Sequence, residues 1–154
     1  MIRICFVCLG NICRSPMAEF IMKDLINKRN LTDKFIITSR ATSYEEIGNG
    51  IYPKAKEKLK EKNISFDNTK TSIHLEKEDF DRYDYIIGME ERNIINIERI
   101  LNKKDKKIKK LLDYSNSPRD IADPWYTNNF ELTYNDILEG CNFFLDFLIE
   151  NNIV

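Results

Sequence analysis

The feature that most constrains the fold is the change of pattern between residues 7 and 16. Residues 2–7, IRICFV, are a compact run of β-branched and aromatic side chains, which is typical of a buried strand. From Ser15 onward the apolar residues recur at helical spacing, with Ser15 suited to cap a helix and Pro16 suited to its first position. The chain therefore passes from a strand to a helix through one short glycine-bearing turn.

The rest of the chain repeats this alternation. Strand-like runs occupy residues 35–39, 83–89 and part of 107–114, and helical patterns cover 52–63, about 90–101 and 132–152. Strands that alternate with helices pair in parallel through right-handed crossovers. We expect an α/β fold in which residues 1–154 form a single domain, with a central four-stranded parallel sheet and helices on both faces.

Composition excludes several classes of function. The 24 Lys and Arg residues balance 25 Asp and Glu residues, so no overall field favours nucleic acid. The lysine-rich segment 102–110 is interpreted as a solvated face around a short strand rather than as a polyanion site. Without a targeting segment or a long apolar run, the expected location is cytoplasmic, with no membrane partner.

The four cysteines are too sparse to form a disulfide scaffold. Cys5 lies inside the strand pattern and Cys141 on the apolar side of the last helical pattern, so both are expected in the core. Cys8 stands at the end of the first strand, where parallel sheets bind ligands beside a helix N-terminus.

Residues 8–15 have the composition of an anion site. A helix N-terminus offers unpaired N–H groups and partial positive charge. Gly10 is expected to let the backbone curl into a nest for an oxyanion, and Asn11 to brace it in a left-handed conformation. Arg14 adds a planar fork that can hold two phosphate oxygens.

Cys8 turns this anion site into a candidate enzyme. A thiol that faces the helix dipole and Arg14 is expected to ionise more readily than a free thiol and to attack the bound phosphorus. Ser15 is close enough in sequence to donate a hydrogen bond to the sulfur.

The leaving group also needs a proton. Asp123, before Pro124 in DIADPWY, is the candidate general acid and, for the second step, general base, in preference to Asp120 and Asp113. Neighbouring aromatics favour a protonated acid. Trp125 and Tyr126 are expected to wall the pocket.

CLGNICRSPMAE followed by a distal DPWY resembles the low-molecular-weight protein tyrosine phosphatases, and the likeness extends over nearly the whole chain. The resemblance implies a cytosolic, metal-free enzyme without cofactor, with Cys8 as nucleophile, Arg14 as phosphate clamp and Asp123 as acid. It places Asn11, Ser15, Ser43 and His74 at positions that support the loop. It makes Cys13 a partner that can trap an oxidised Cys8 as a disulfide.

The same resemblance suggests the substrate contacts and the partners. The expected substrate-binding residues are Leu9, Gly10, Asn11, Ile12, Cys13, Ser15, Tyr44, Trp125 and Tyr126. The expected partners are phosphotyrosine proteins or small aryl phosphates, with inorganic phosphate as product and competitive ligand, bound by a monomer or weak dimer. Two departures from the family pattern affect the rim of the substrate pocket. Lys77 replaces an arginine that is common in the family, and Glu45 or Tyr44 replaces a loop tryptophan of the animal enzymes.

Three other functions remain open. A protein arginine phosphatase is one, although relatives of that kind tend to carry threonine at the position of Ile12. An arsenate reductase is less favoured, because the segment 89–107 has none of the further cysteines that such enzymes use. A non-catalytic phosphate-binding module would need neither Cys8 nor Asp123.

Overall fold

The computed structural model describes residues 1–154 and contains four strands, all in one parallel sheet. The strands are β1 (Ile2–Cys8), β2 (Phe35–Ala41), β3 (Tyr85–Gly88) and β4 (Ile108–Lys110). They lie in the order β2-β1-β3-β4, with Ile2 opposite Phe35 and Cys8 opposite Ala41 in the first pair. The predicted four-stranded parallel sheet is confirmed.

Six α-helices connect and flank these strands. They are α1 (Arg14–Lys28), α2 (Pro53–Glu61), α3 (Asp79–Arg82), α4 (Glu91–Leu101), α5 (Pro124–Thr127) and α6 (Phe130–Glu150). Two 3₁₀ turns, Thr32–Lys34 and Leu111–Tyr114, precede β2 and follow β4. None of the helices is both long and apolar enough to cross a membrane.

Side chains of β1 alternate between the two faces of the sheet. Ile4, Phe6 and Cys8 belong to the larger apolar core, which also contains residues of α1 and α6. Cys5 and Val7 belong to a smaller core on the other face, with residues of α4. This period-two alternation places helices on both faces, as the sequence predicts.

The helix after β1 begins two residues earlier than its sequence predicts. Ser15 is not the N-cap: α1 starts at Arg14, and the capping position is Cys13, whose side chain makes no capping hydrogen bond. Ser15 is fully buried and its hydroxyl lies 3.1 Å from Cys8 Sγ. The Ser15 hydroxyl therefore contacts the sulfur of Cys8 and does not cap the helix.

Four of the six lysines near β4 are exposed, and the other two, Lys107 and Lys110, form hydrogen bonds within the protein. Lys107 Nζ donates to the carbonyls of Phe80 and Tyr83, and Lys110 Nζ donates to Asp120 at 3.0 Å. Since β4 is an edge strand, charged side chains there also discourage pairing with another chain. These contacts favour the solvated-face interpretation of residues 102–110.

Candidate active site

The loop between β1 and α1 turns its carbonyl groups outward. Three of them accept hydrogen bonds from neighbouring segments: those of Leu9, Gly10 and Ile12, from Ser43 N (2.9 Å), Ser72 Oγ (2.8 Å) and Tyr52 N (2.9 Å). The N–H groups of Leu9, Gly10, Ile12 and Cys13 in this loop donate to no protein atom, and neither does the N–H of Arg14 at the start of α1. Unpaired N–H groups in a tight loop beside a helix N-terminus form a site for an anion.

The left-handed residue of this loop is Asn11, with φ of 57°, whereas Gly10 has no positive φ. The expectation that Gly10 supplies the curl is therefore wrong, and the expectation for Asn11 is met. What Gly10 provides is room, because a Cβ there would lie 3.3 Å from Cγ of Glu46. A side chain at this position would push the loop away from Glu46.

Three donors converge on the sulfur of Cys8. Sγ lies 3.1 Å from Ser15 Oγ, 3.2 Å from Asn11 N and 3.4 Å from Ser15 N. Donors directed at a sulfur stabilise a thiolate over a thiol. The N–H groups come from the loop and from the first turn of α1, so the backbone fold itself creates this environment.

A chain of hydrogen bonds fixes the loop from behind. Asn11 Nδ2 donates to Ser15 Oγ at 2.7 Å and to Ser39 Oγ at 2.9 Å. Ser39 Oγ donates to Glu19 Oε1 at 2.6 Å, and Glu19 pairs with Lys23 at 2.8 Å. The chain therefore runs from a partly exposed lysine of α1 to the sulfur, through side chains that are almost fully buried.

Arg14 is held rigidly. Its guanidinium is 1% exposed, and Nη1 donates to the Ile121 carbonyl at 3.0 Å while Nη2 lies 3.3 Å from both Glu90 and Asp123. Burial alone would lower the pKa of Arg14, but the charges of Cys8, Asp123 and Glu90 raise it above its ordinary value. The guanidinium therefore stays charged and fixed in orientation.

Asp123 occupies the position expected of an acid at this site, in an environment different from the predicted one. It has extended backbone, caps the short helix α5, and accepts a hydrogen bond from Trp125 N at 3.0 Å. Its other oxygen contacts Arg14 rather than an aromatic ring. The predicted packing of Asp123 against aromatic rings is therefore not its principal contact. Its two partners, Trp125 N and the Arg14 guanidinium, are both hydrogen-bond donors, which suit a carboxylate.

Asp120 and Asp113, the other two acids considered from sequence, do not line the cleft that contains Cys8. Asp120 accepts from Lys110 Nζ and from Glu91 N at 3.1 Å, and Asp113 accepts from Lys110 N. Of the three acids considered from sequence, only Asp123 lines the cleft with Cys8 and Arg14.

The cleft above Cys8 has a volume of about 130 Å³. Besides Cys8, Arg14 and Asp123, its walls are Leu9, Gly10, Ile12, Cys13, Ser43, Glu45, Glu46, Trp125 and Tyr126. Asn11 and Ser15, also expected to bind substrate, instead lie buried behind the loop. A larger cavity of about 430 Å³ lies beside α1, but no cysteine or arginine lines it, so size alone does not identify the site.

Tyr44 is a further predicted substrate contact that the structure places outside the cleft. Its ring is 71% exposed and stacks on His74 at 3.7 Å between ring centroids, outside the walls of the cleft. Its two neighbours, Glu45 and Glu46, line the cleft instead. The tyrosine points away because the flat face of His74 offers its ring an aromatic partner.

The two supporting residues expected beyond the loop lie beside it. Ser43 N donates to Leu9 O, and Ser43 Oγ accepts from Glu45 N at 3.1 Å. His74 Nε2 bonds the Thr42 carbonyl at 3.1 Å and makes no hydrogen bond to residues 8–15. His74 therefore braces the segment that carries Ser43 rather than the anion loop itself.

The remaining cysteines are not exposed nucleophiles. Burial raises the pKa of Cys5 to about 12 and raises the pKa of Cys141 further. Burial also raises the pKa of Cys13, and the nearby charges of Cys8 and Asp123 raise it more. Cys13 is thus a thiol in the wall of the cleft that also contains Cys8.

Sequence reasoning missed Glu90, Ser39 and Glu19. Glu90 follows the carboxyl end of β3, the strand next to β1, so the strand order would have pointed to it. Asn93 fixes the backbone there by accepting from Met89 N and Glu90 N. Ser39 and Glu19 carry no sequence signal, because a buried serine and a glutamate in a helix are ordinary on their own.

Comparison with known proteins places this geometry in context. The sequence profile described as low molecular weight phosphotyrosine protein phosphatase matches residues 3–153. The chain is 38% identical over 152 residues to the low molecular weight protein-tyrosine-phosphatase PtpA of Staphylococcus aureus, a match that covers 98% of this chain and 96% of that protein.

Solved structures give the same result. YfkJ from Bacillus subtilis matches with a TM-score of 0.94 and 39% identity, covering 98% of this chain and 96% of that one. SP-PTP, a low molecular weight protein tyrosine phosphatase from Streptococcus pyogenes, matches with a TM-score of 0.85 and 42% identity, covering 97% and 93%. DARP, a drosophila arginine phosphatase, is less similar, with 30% identity and a TM-score of 0.84 over 93% and 95% of the two chains.

Proposed function

The chain belongs to the low molecular weight phosphotyrosine protein phosphatase family, and from that membership we propose that it hydrolyses phosphotyrosine through a phosphocysteine formed on Cys8. The observation that carries this proposal is the convergence of three hydrogen-bond donors on Cys8 Sγ, in a cleft that also contains Arg14 and Asp123. A fixed sulfur, a fixed cation and an acid are the three groups that such a reaction needs.

The phosphate group is bound by the loop and by Arg14. The unpaired N–H groups of Gly10, Ile12, Cys13 and Arg14 supply donors, and the guanidinium supplies a fork that binds two oxygens. Glu90 and the Ile121 carbonyl hold the guanidinium before substrate arrives. Because these groups are already oriented, they stabilise the charge of the transition state without reorganising.

In the first step Cys8 attacks phosphorus. The sulfur–phosphorus bond forms, the bond between phosphorus and the tyrosyl oxygen breaks, and Asp123 gives its proton to that oxygen. The phosphate oxygens replace Asp123 as partners of Arg14.

In the second step water attacks the phosphocysteine. Asp123, now a carboxylate, takes a proton from the water, the sulfur–phosphorus bond breaks, and inorganic phosphate leaves. The hydroxyl and N–H of Ser15 and the N–H of Asn11 stabilise the departing thiolate. Inorganic phosphate therefore also binds the free enzyme as a competitive ligand.

A nucleophilic thiolate requires a compartment that keeps it reduced, which supports a cytoplasmic location. Trp125 and Tyr126 are 53% and 78% exposed at the mouth of the cleft, where they can contact the flat ring of a phosphotyrosine. Proteins that carry phosphotyrosine and small aryl phosphates are the substrates that this mouth suits.

Cys8→Ser tests the proposal. We expect the variant to lose turnover of a phosphotyrosine peptide and of p-nitrophenyl phosphate, while it still binds inorganic phosphate by calorimetry. Cys5→Ala is the matched control, because Cys5 lies in the same strand but faces the opposite core, and it should retain turnover. Wild-type activity in Cys8→Ser would contradict the mechanism, and a strong preference for phosphoarginine peptides would contradict the substrate.

A further inference from the structure

The mouth of the cleft carries more negative than positive charge. Of the residues that line it, Glu45, Glu46 and Asp123 are acidic and Arg14 is the single base. Arg14 is buried and already contacts Asp123 and Glu90. Glu45 and Glu46 form no ion pair within the protein. Two carboxylates without a cationic partner therefore face the substrate residues that flank the phosphate group.

The backbone of Glu45 and the carboxylate of Glu46 are each held by a hydrogen bond. Glu45 N donates to Ser43 Oγ, and Ser43 N in turn donates to Leu9 O of the anion loop. The stem of Glu46 packs beside Gly10, and Asn49 Nδ2 donates to Glu46 Oε2 at 2.8 Å. The acidic rim, defined as Glu45 and Glu46, is therefore attached to the loop that binds phosphate.

Two exposed aromatic rings share this mouth. Trp125 and Tyr126 are more than half exposed, and neither ring has a lysine or arginine of the protein above it. An aromatic face attracts an arginine or lysine side chain, and a carboxylate does so independently. A basic residue next to the phosphotyrosine would satisfy both features.

We propose that the acidic rim and these two aromatic rings select phosphotyrosine substrates with lysine or arginine beside the phosphorylated residue, and disfavour substrates with acidic neighbours. This inference rests on the proposed function and adds the substrate class. The phosphate is held by Arg14 and the loop, whereas the residues beside it are chosen by charge at the mouth. Because the rim is exposed, its effect should weaken as salt screens it.

The test compares two phosphotyrosine peptides that differ only at the two flanking positions, lysine in one and glutamate in the other. An exposed ion pair changes binding by about two- to fivefold. We therefore expect wild-type kcat/KM to be roughly three- to tenfold higher for the lysine peptide at low salt. The ratio should approach one near 1 M salt, where the Debye length is about 3 Å.

Variants of the acidic rim test whether Glu45 and Glu46 cause the preference for the lysine peptide. The double variant Glu45→Gln and Glu46→Gln should remove most of the preference, and Glu45→Lys with Glu46→Lys should reverse it. Glu57→Gln, an exposed acid on α2 outside the cleft, is the control and should keep the wild-type ratio. Using the ratio of the two peptides within each variant cancels any general change in activity or folding.

Each outcome has one meaning. Turnover of both peptides at equal rates, or a preference for glutamate, would overturn the inference and leave the phosphatase intact. A lysine preference that survives undiminished in the double glutamine variant would also overturn it. Failure to hydrolyse either peptide would instead count against the proposed function.

Discussion

Asp123→Asn should lower turnover and strengthen phosphate binding at the same time. Asparagine keeps the shape of the side chain and an oxygen that can accept from Trp125 N, so helix α5 stays capped. It cannot give a proton to the leaving oxygen or take one from water. General acid–base catalysis contributes about 100- to 10,000-fold, and we expect kcat for a phosphotyrosine peptide to fall within that range.

The gain in phosphate affinity follows from the ion pair with Arg14. At 3.3 Å two unit charges attract by about 5 kcal/mol at an effective dielectric constant of about 20, and by about 1.3 kcal/mol at that of water. Because Glu90 still holds Arg14 at the same distance, Arg14 loses only one of its two carboxylate partners, and the lower figure is a minimum. Removing the competing carboxylate should tighten binding of inorganic phosphate by about eightfold or more.

Steady-state kinetics and calorimetry with inorganic phosphate measure the two effects separately. Asp120→Asn is the matched control: it lies in the same loop but accepts from Lys110 and Glu91, outside the cleft. It should change neither quantity by more than about twofold. A kcat within tenfold of wild type, or weaker phosphate binding, in Asp123→Asn would refute the assigned role.

Three further predictions concern the sulfur, the packing and the alkaline limit. Ser15→Ala removes a hydrogen bond to a charged sulfur, which is worth about 1.5–3 kcal/mol, so steady-state kinetics should show kcat lower by about tenfold or more. Gly140→Ala should lower the free energy of unfolding by about 1–3 kcal/mol in urea titration, because its Cβ would lie 2.5 Å from Leu111 Cγ; unchanged stability would mean that α6 shifts freely. Burial raises the pKa of Cys5 to about 12 from 9.0 and raises that of Tyr114 from 10.0, so above about pH 9 the unfolded chain loses protons that the folded chain keeps. Stability should therefore be complete below pH 9 and fall as pH rises, and a urea midpoint that stays constant from pH 8 to pH 11 would contradict this.

The four parallel strands and the succession of strands and helices along the chain could be predicted from sequence, because the apolar pattern of each segment agrees with its burial in the structure. The run at residues 2–7 alternates between two apolar cores, and such a run is compatible with few structures. The residue at which α1 starts could not be predicted from sequence. Ser15 has the propensity of an N-cap, but its hydroxyl is drawn to Cys8 and Asn11, a tertiary contact that local propensity does not contain.

For the candidate site, the sequence located the groups that are close together along the chain or that match a motif. Cys8, Arg14 and Asp123 do line one cleft. It misplaced Tyr44, because adjacent residues in a loop point in different directions and only the structure shows His74 beneath that ring. It missed Glu90, whose importance depends on β3 lying next to β1.

The central claim is that the loop and Ser15 hold the sulfur of Cys8 ready to attack phosphorus, and selective alkylation of that sulfur tests this most directly. At neutral pH iodoacetamide should modify Cys8 well before Cys5, Cys13 and Cys141, as followed by mass spectrometry. Inorganic phosphate should protect the sulfur of Cys8. Modification of Cys8 no faster than that of the other three cysteines, or modification that inorganic phosphate does not slow, would contradict the account.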